Sequence, residues 1–264
     1  MKPPLELAVN ESGSGPPLIM LHGLYGSGAN WRGIARAFEA SHTVLLPDLR
    51  GHGQSPAHPD MDYRRLADDV IAMMDRQGLE QARLVGHSMG GKVAMTMALC
   101  HPARVERLVV VDIAPVAYDH GAEHGGIIAA LQQVDLQAIS GRADADAALA
   151  PAIPSDLVRQ FLLTNLQREG RTWQWRIPLD ILADQLPVIQ GWPLDSTPTW
   201  SGPALFIHGE ASGYVTPAGT AAIHRVFPQA RVIGLPGVGH WVHAEAPGPF
   251  TEHLTEFLNP EPLK

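Results

Sequence analysis

The sequence predicts an α/β fold: a mostly parallel sheet with helices on both faces and a helical segment inserted after one strand. Three observations predict it. Apolar runs such as Leu18-Ile-Met-Leu21 and Leu108-Val-Val-Val111 are continuous rather than alternating, as strands buried on both faces require. Segments of helical period separate these runs through the first half of the chain. Residues 82–94 then read Ala-Arg-Leu-Val-Gly86-His-Ser88-Met-Gly90-Gly-Lys-Val-Ala, a strand feeding a helix through a glycine-flanked serine.

In chain order, Leu18–Leu21 is a buried strand ending at His22-Gly23, and residues 31–38 follow as a helix. Thr43-Val-Leu-Leu46 is a second strand, stopped by Pro47. Residues 63–76 are amphipathic, with Leu66, Val70, Ile71 and Met74 on one face. The Leu84-Val85 strand and its glycine-turn helix come next, then Leu108–Val111, ending at Asp112. Alternation stops at Ile113. From there to about Ser201 the chain reads as helical, with segments at 127–134, 157–166 and 179–189 and aromatics at Trp173 and Trp175. Gly191 to Pro203 reads as a return linker. Ala204–Ile207 resumes the sheet, a helix is expected at 217–226, a strand at 231–235 and a closing helix at 249–258. The expected division is a core of residues 1–112 and 202–264 with a cap at 113–201.

With 264 residues, 45% hydrophobic and 17% charged, the chain can bury a large core. A net charge of −8 without a Lys/Arg cluster disfavours nucleic acid and anionic membranes as partners. Cys100, the single cysteine, excludes an internal disulfide and reads as a small buried hydrophobe. Met1-Lys-Pro-Pro-Leu-Glu-Leu lacks the apolar stretch of a signal peptide, and no run is long enough to span a bilayer. A cytoplasmic protein is expected, as a monomer or small homo-oligomer.

The glycine turn carries chemistry. In so tight a turn, bulk two residues before or after Ser88 would clash, hence Gly86 and Gly90, while Gly91 lets the new helix approach the sheet. A serine hydroxyl needs a histidine base, and the base needs a carboxylate to fix its tautomer. In this topology the order is serine, acid, histidine. His240, flanked by Gly239 ahead of the last helix, fits the base, with His243 its closest competitor among thirteen histidines. For the acid, the loop after Ile207 reads Gly209-Glu-Ala-Ser212-Gly-Tyr-Val215, with Ser212 at the position where a carboxylate is commonest. Asp112, at the carboxyl end of the preceding strand, is the alternative, and Glu210 the runner-up. Backbone N–H groups of Met89 and Leu24 are the expected oxyanion donors. Asp48 and Arg50 are expected to fix the Asp48–Ser55 loop by pairing and capping. Its glycines match no phosphate-binding spacing. No metal or other cofactor is implied.

Taken together, His22-Gly23, Asp48-x-Arg50-Gly-His-Gly53-x-Ser55, Gly86-x-Ser88-x-Gly90 and Gly239-His240 resemble the α/β-hydrolase superfamily over nearly the whole chain. Within it, the segments 86–94 and 111–118, Phe161–Leu166, Trp175–Leu179 and Gly239-His-Trp-Val-His-Ala are similar to the YbfF-type bacterial esterases. That resemblance implies hydrolysis of short-chain esters, in some members of acyl-CoA thioesters. It also implies that the acid lies in the Asp112-Ile-x-Pro segment, in agreement with the reading of Ser212.

The insertion is then expected to act as a lid. Its aromatics Trp173, Trp175, Trp192 and Tyr118, with the 157–166 helix, would line an acyl pocket or simply hold the cap together. The substrate contacts expected are His22, His87, Tyr118, Trp175 and Trp241. Lys92, His120 and Arg176 would meet a charged leaving group such as CoA or simply form a solvated surface. The partner expected is a small-molecule ester hydrolysed by Ser88, Asp112 and His240. A thioesterase or carbon–carbon bond hydrolase would use the same triad, and a non-catalytic receptor on the same scaffold would turn over no ester.

Overall fold

A computed structural model describes residues 3–119, 121–194 and 198–259. In chain order its elements are β1 (Val9–Gly13), β2 (Pro17–Leu21), α1 (Arg32–Ala35), β3 (Thr43–Pro47), α2 (Tyr63–Arg76), β4 (Ala82–His87), α3 (Met89–Cys100) and β5 (Val105–Val111). There follow α4 (Gly121–Gln133), α5 (Arg142–Leu149), α6 (Asp156–Leu163), β6 (Leu166–Glu169), β7 (Thr172–Trp175) and α7 (Leu179–Gln190). The chain closes with β8 (Ala204–Gly209), α8 (Pro217–Val226), β9 (Arg231–Leu235), α9 (Val242–Glu245) and α10 (Pro247–Leu258).

Seven strands form one sheet in the order β1-β3-β2-β4-β5-β8-β9, parallel except for the antiparallel edge strand β1. The continuous apolar runs are the central strands, whose side chains are buried on both faces. Successive residues divide between the two: Ile19, Leu84 and Val110 pack under α2 and α3, whereas Leu18, Met20, Val85 and Val109 pack under α10. Asp62 caps α2 by accepting from the Arg64 N–H. Among the described residues no helix is long and apolar enough to cross a membrane.

Several expectations are corrected. The 31–38 segment is only a 3₁₀ turn and the four-residue α1. The 113–201 segment is not wholly helical. Residues 166–175 form an antiparallel hairpin, β6–β7, separate from the main sheet, and the 157–166 helix ends at Leu163. The edge strand β1 and helix α5 had no sequence expectation. Cys100 is exposed at the end of α3, not buried. Asp48 and Arg50 do not pair with each other. Asp48 accepts from the Gly28 and Gln54 N–H groups, and Arg50 forms a buried bidentate pair with Asp69 on α2. His120 lies outside the described residues.

Candidate active site

The carboxyl ends of β2, β4, β5 and β8 converge, the place where an open parallel sheet forms its sites. Ser88 follows β4 directly and caps α3 with φ 52° and ψ −116°, a conformation that costs roughly 1–3 kcal/mol unless its surroundings enforce it. Close packing enforces it here. A Cβ on Gly86 would lie 2.3 Å from the Gly90 carbonyl oxygen, and one on Gly90 would lie 2.4 Å from that of Leu21. One on Gly91 would meet the Ile113 side chain at 2.6 Å. The Ser88 N–H is anchored on the Val111 carbonyl at 3.0 Å.

Asp112 follows β5 and is buried, with φ 50°. Its carboxylate accepts three hydrogen bonds. Oδ2 takes the His240 Nδ1–H at 2.7 Å and the Ser212 hydroxyl at 2.5 Å, and Oδ1 takes the Gly209 N–H at 3.1 Å. Ser212, at the position where an acid was sought, therefore donates to Asp112. Glu210 is exposed, its carboxylate beside Gly234 on β9, whereas His240 Nδ1 meets Asp112.

His240 sits in the loop after β9. Glu245 brackets it by accepting from the Gly239 N–H at 2.7 Å and the Trp241 N–H at 3.1 Å. The Tyr214 ring stacks on its imidazole, with centroids 4.0 Å apart and planes 21° apart. His87 packs on it at 4.7 Å and donates from Nε2 to the His240 carbonyl at 2.9 Å. His243, the rival base, is buried against Trp31 at 4.3 Å, and its Nδ1 has no hydrogen-bond partner. Burial, with His240 nearby, lowers it to about 4.

The loop after β2 is held by two neutral histidines. His22 donates from Nδ1 to the Gly23 carbonyl at 2.8 Å and accepts the Leu49 N–H on Nε2 at 2.9 Å. His52 donates to the Arg50 carbonyl at 2.9 Å and accepts the Tyr25 N–H at 3.2 Å. Burial lowers them to about 3 and about 4, so both stay uncharged struts around Leu24. Met89 opens α3, where the first N–H groups have no intrahelical acceptor and the helix dipole favours negative charge.

A cavity of about 310 Å³ opens at Ser88 and His240. Its walls include His22, His87 and Trp241 among the expected contacts, and Leu24. The structure places the others elsewhere. Trp175 packs inside the insertion and donates its indole N–H to the Leu131 carbonyl at 3.0 Å, away from this cavity. Tyr118 donates to the Tyr214 carbonyl at 2.8 Å and borders a second, smaller cavity. Lys92 is buried and donates to the Gln190 and Gly191 carbonyls at 2.8 and 2.6 Å. Arg176 bonds Gln167. Sequence reading missed Ser212's hydroxyl, Tyr214, His52 and Glu245. Only Ser212 had a signal, as the acid that was not there. Among the described residues, no group of three or more His, Cys, Asp or Glu side chains could hold a metal ion.

Comparison with known proteins adds the relatives. The family described as the alpha/beta hydrolase fold matches residues 16–247. The chain is 42% identical to the mouse sn-1-specific diacylglycerol lipase ABHD11 over 92% of this chain and 81% of that protein. It is 38% identical to the Escherichia coli esterase YbfF over 92% of this chain and 93% of that protein. A solved marine microorganism esterase superposes with a TM-score of 0.93 at 39% identity, covering 96% of this chain and 99% of the other.

Proposed function

The chain belongs to the alpha/beta-hydrolase family, and from that membership and the site geometry we propose a serine carboxylesterase acting on short- to medium-chain esters through an acyl-enzyme on Ser88. One observation carries the reading. A serine in a strained strand-to-helix turn shares a cavity with a histidine whose other nitrogen meets a buried carboxylate at 2.7 Å.

In this mechanism Asp112 holds His240 as the Nδ1–H tautomer, leaving Nε2 free to take the Ser88 proton as Oγ attacks the ester carbonyl carbon. The tetrahedral oxyanion is received by the Leu24 and Met89 N–H groups, donors typically worth on the order of 10²–10³ in rate each. Collapse expels the alcohol with the proton from His240. Water then attacks the acyl-enzyme by the same route, releasing the carboxylic acid and restoring Ser88. Residues 113–201 serve as a cap over the site. A small-molecule ester is the partner, and neither nucleic acid nor membrane takes part. The cytoplasm is the proposed compartment, and the protein acts as a monomer or small homo-oligomer.

Hydrolysis of p-nitrophenyl acetate, with Ser88→Ala as control, tests the proposal. Turnover that disappears in the variant is expected. Absence of turnover of any activated ester by folded protein would favour a non-catalytic receptor instead.

A further inference from the structure

Two cavities meet at Ser88, and they differ tenfold in size. The larger, about 310 Å³, runs past His240 and Trp241 to Phe161 and Leu157. The smaller, about 30 Å³, lies on the Met89 side under Ile189 and Lys92. Ser88 and Leu24 border both, but His240 lines only the larger and Met89 only the smaller.

Given the serine-esterase reading, on which this inference rests, the chemistry assigns an occupant to each. The leaving oxygen must receive its proton from His240, so the alcohol extends on the side that His240 lines. The carbonyl oxygen turns to the Leu24 and Met89 N–H groups. The acyl chain, the remaining substituent on the tetrahedral carbon, is directed away from His240 into the smaller space. We infer that the enzyme selects short acyl groups, acetyl or propionyl, on large apolar alcohols.

The volumes support that division. A water needs on the order of 10–15 Å³ of such space, so the small cavity takes two or three heavy atoms. The large one falls within the usual range for ligand pockets, roughly 300–1,000 Å³, and Ile127, Val158, Phe161 and Leu162 make it apolar. Leu157, 56% exposed, stands at its edge, where a tail would emerge. Nor can the wall of the small cavity retreat cheaply. The Ile189 carbonyl accepts from the Tyr63 hydroxyl, that of Gln190 from Lys92 Nζ and the Tyr118 N–H, and that of Gly191 from Lys92 Nζ. Moving the end of α7 outward would break buried hydrogen bonds, each costly to leave unmade.

Two ester series on the full chain separate the assignments: p-nitrophenyl acetate to hexanoate, and the acetates of ethanol to octanol followed by pH-stat. We expect kcat/KM to fall at least tenfold from acetate to hexanoate. Along the alkyl acetates it should rise by up to about fourfold per buried methylene until the tail passes Leu157. Ile189→Ala should raise the hexanoate-to-acetate ratio severalfold. A flat or rising acyl series with a flat alcohol series, or an unchanged ratio in the variant, overturns the inference. Turnover that survives Ser88→Ala would overturn the esterase reading itself. Turnover lost in Ser88→Ala but with the length order reversed would overturn only the cavity assignment.

Discussion

Replacing Asp112 with Asn tests the acid with little change of shape. In the wild type three donors converge on the carboxylate, from Gly209, Ser212 and His240. Asparagine can accept at only one of the two positions. If its oxygen keeps the Gly209 N–H, its NH₂ faces His240 Nδ1 and drives the imidazole to the Nε2–H tautomer, which cannot take the Ser88 proton. If it flips, the NH₂ confronts the buried Gly209 N–H, leaving an unsatisfied donor that costs about 1–3 kcal/mol. The productive arrangement is then populated roughly 5- to 150-fold less. Loss of the negative charge that stabilises the imidazolium adds to this, and the total approaches the 10⁴ known for the corresponding change in a serine protease. The expected result is a fall in kcat of about 10²–10⁴ for p-nitrophenyl acetate, with KM and thermal midpoint nearly unchanged. A loss below tenfold in a folded variant would refute the reasoning. Inactivity of Glu210→Gln alongside it would transfer the role to Glu210.

Two pH effects on stability also follow. His22, His52 and His243 are held neutral by burial at about 3, 4 and 4. The unfolded chain takes up their protons below about 6.5 while the folded chain does not, so stability is lost as pH falls through 6.5. At pH 5 each costs about 2 kcal/mol, and the urea midpoint should drop sharply between pH 7 and 5; a flat midpoint would show that these rings are charged in the fold. Lys92 gives a slope of the same sign in a higher pH window. Burial lowers it to about 7 from 10.5, so the unfolded chain holds the extra proton between these values and raising the pH stabilises the fold. The carbonyls of α7 and the Tyr118 ring at 4.9 Å favour the ammonium and narrow that window. Between pH 7 and 10 the urea midpoint of wild type should climb relative to Lys92→Met, and parallel curves would refute the buried titration.

The legible parts of this fold are those fixed by long periodic or buried runs. The 63–76 and 217–226 helices and the 231–235 strand match the expected bounds. Short elements without a continuous apolar run are not legible. The aromatics of Thr172-Trp-Gln-Trp175 suggest a pocket; four residues of alternation, after a turn at Gly170 with φ 60°, make it a strand instead. In that hairpin Trp175 turns its indole toward α4. Cys100 escapes for a similar reason. Its neighbours on α3 are buried without a break from Met89 to Leu99, and no period marks where the helix leaves the core.

Around Ser88, sequence reading names three groups that the structure brings together, Ser88, His240 and Asp112, and misses groups that hold them. Triad chemistry demands particular side chains in a particular order, whereas support can come from many. The Gly209–Val215 loop shows the consequence. Lacking a carboxylate at 212, it still meets the proposed triad twice, through the Ser212 hydroxyl on Asp112 and the Tyr214 ring on His240. The two contacts are one unit, since the Tyr214 N–H donates to Ser212 Oγ at 3.2 Å and Tyr118 holds the Tyr214 carbonyl. A carboxylate at 212 would crowd a second negative charge against Asp112, and an apolar residue would leave Oδ2 with one donor fewer. Serine satisfies both constraints, so with the proposed acid at the end of β5 a hydroxyl, rather than an arbitrary side chain, suits position 212.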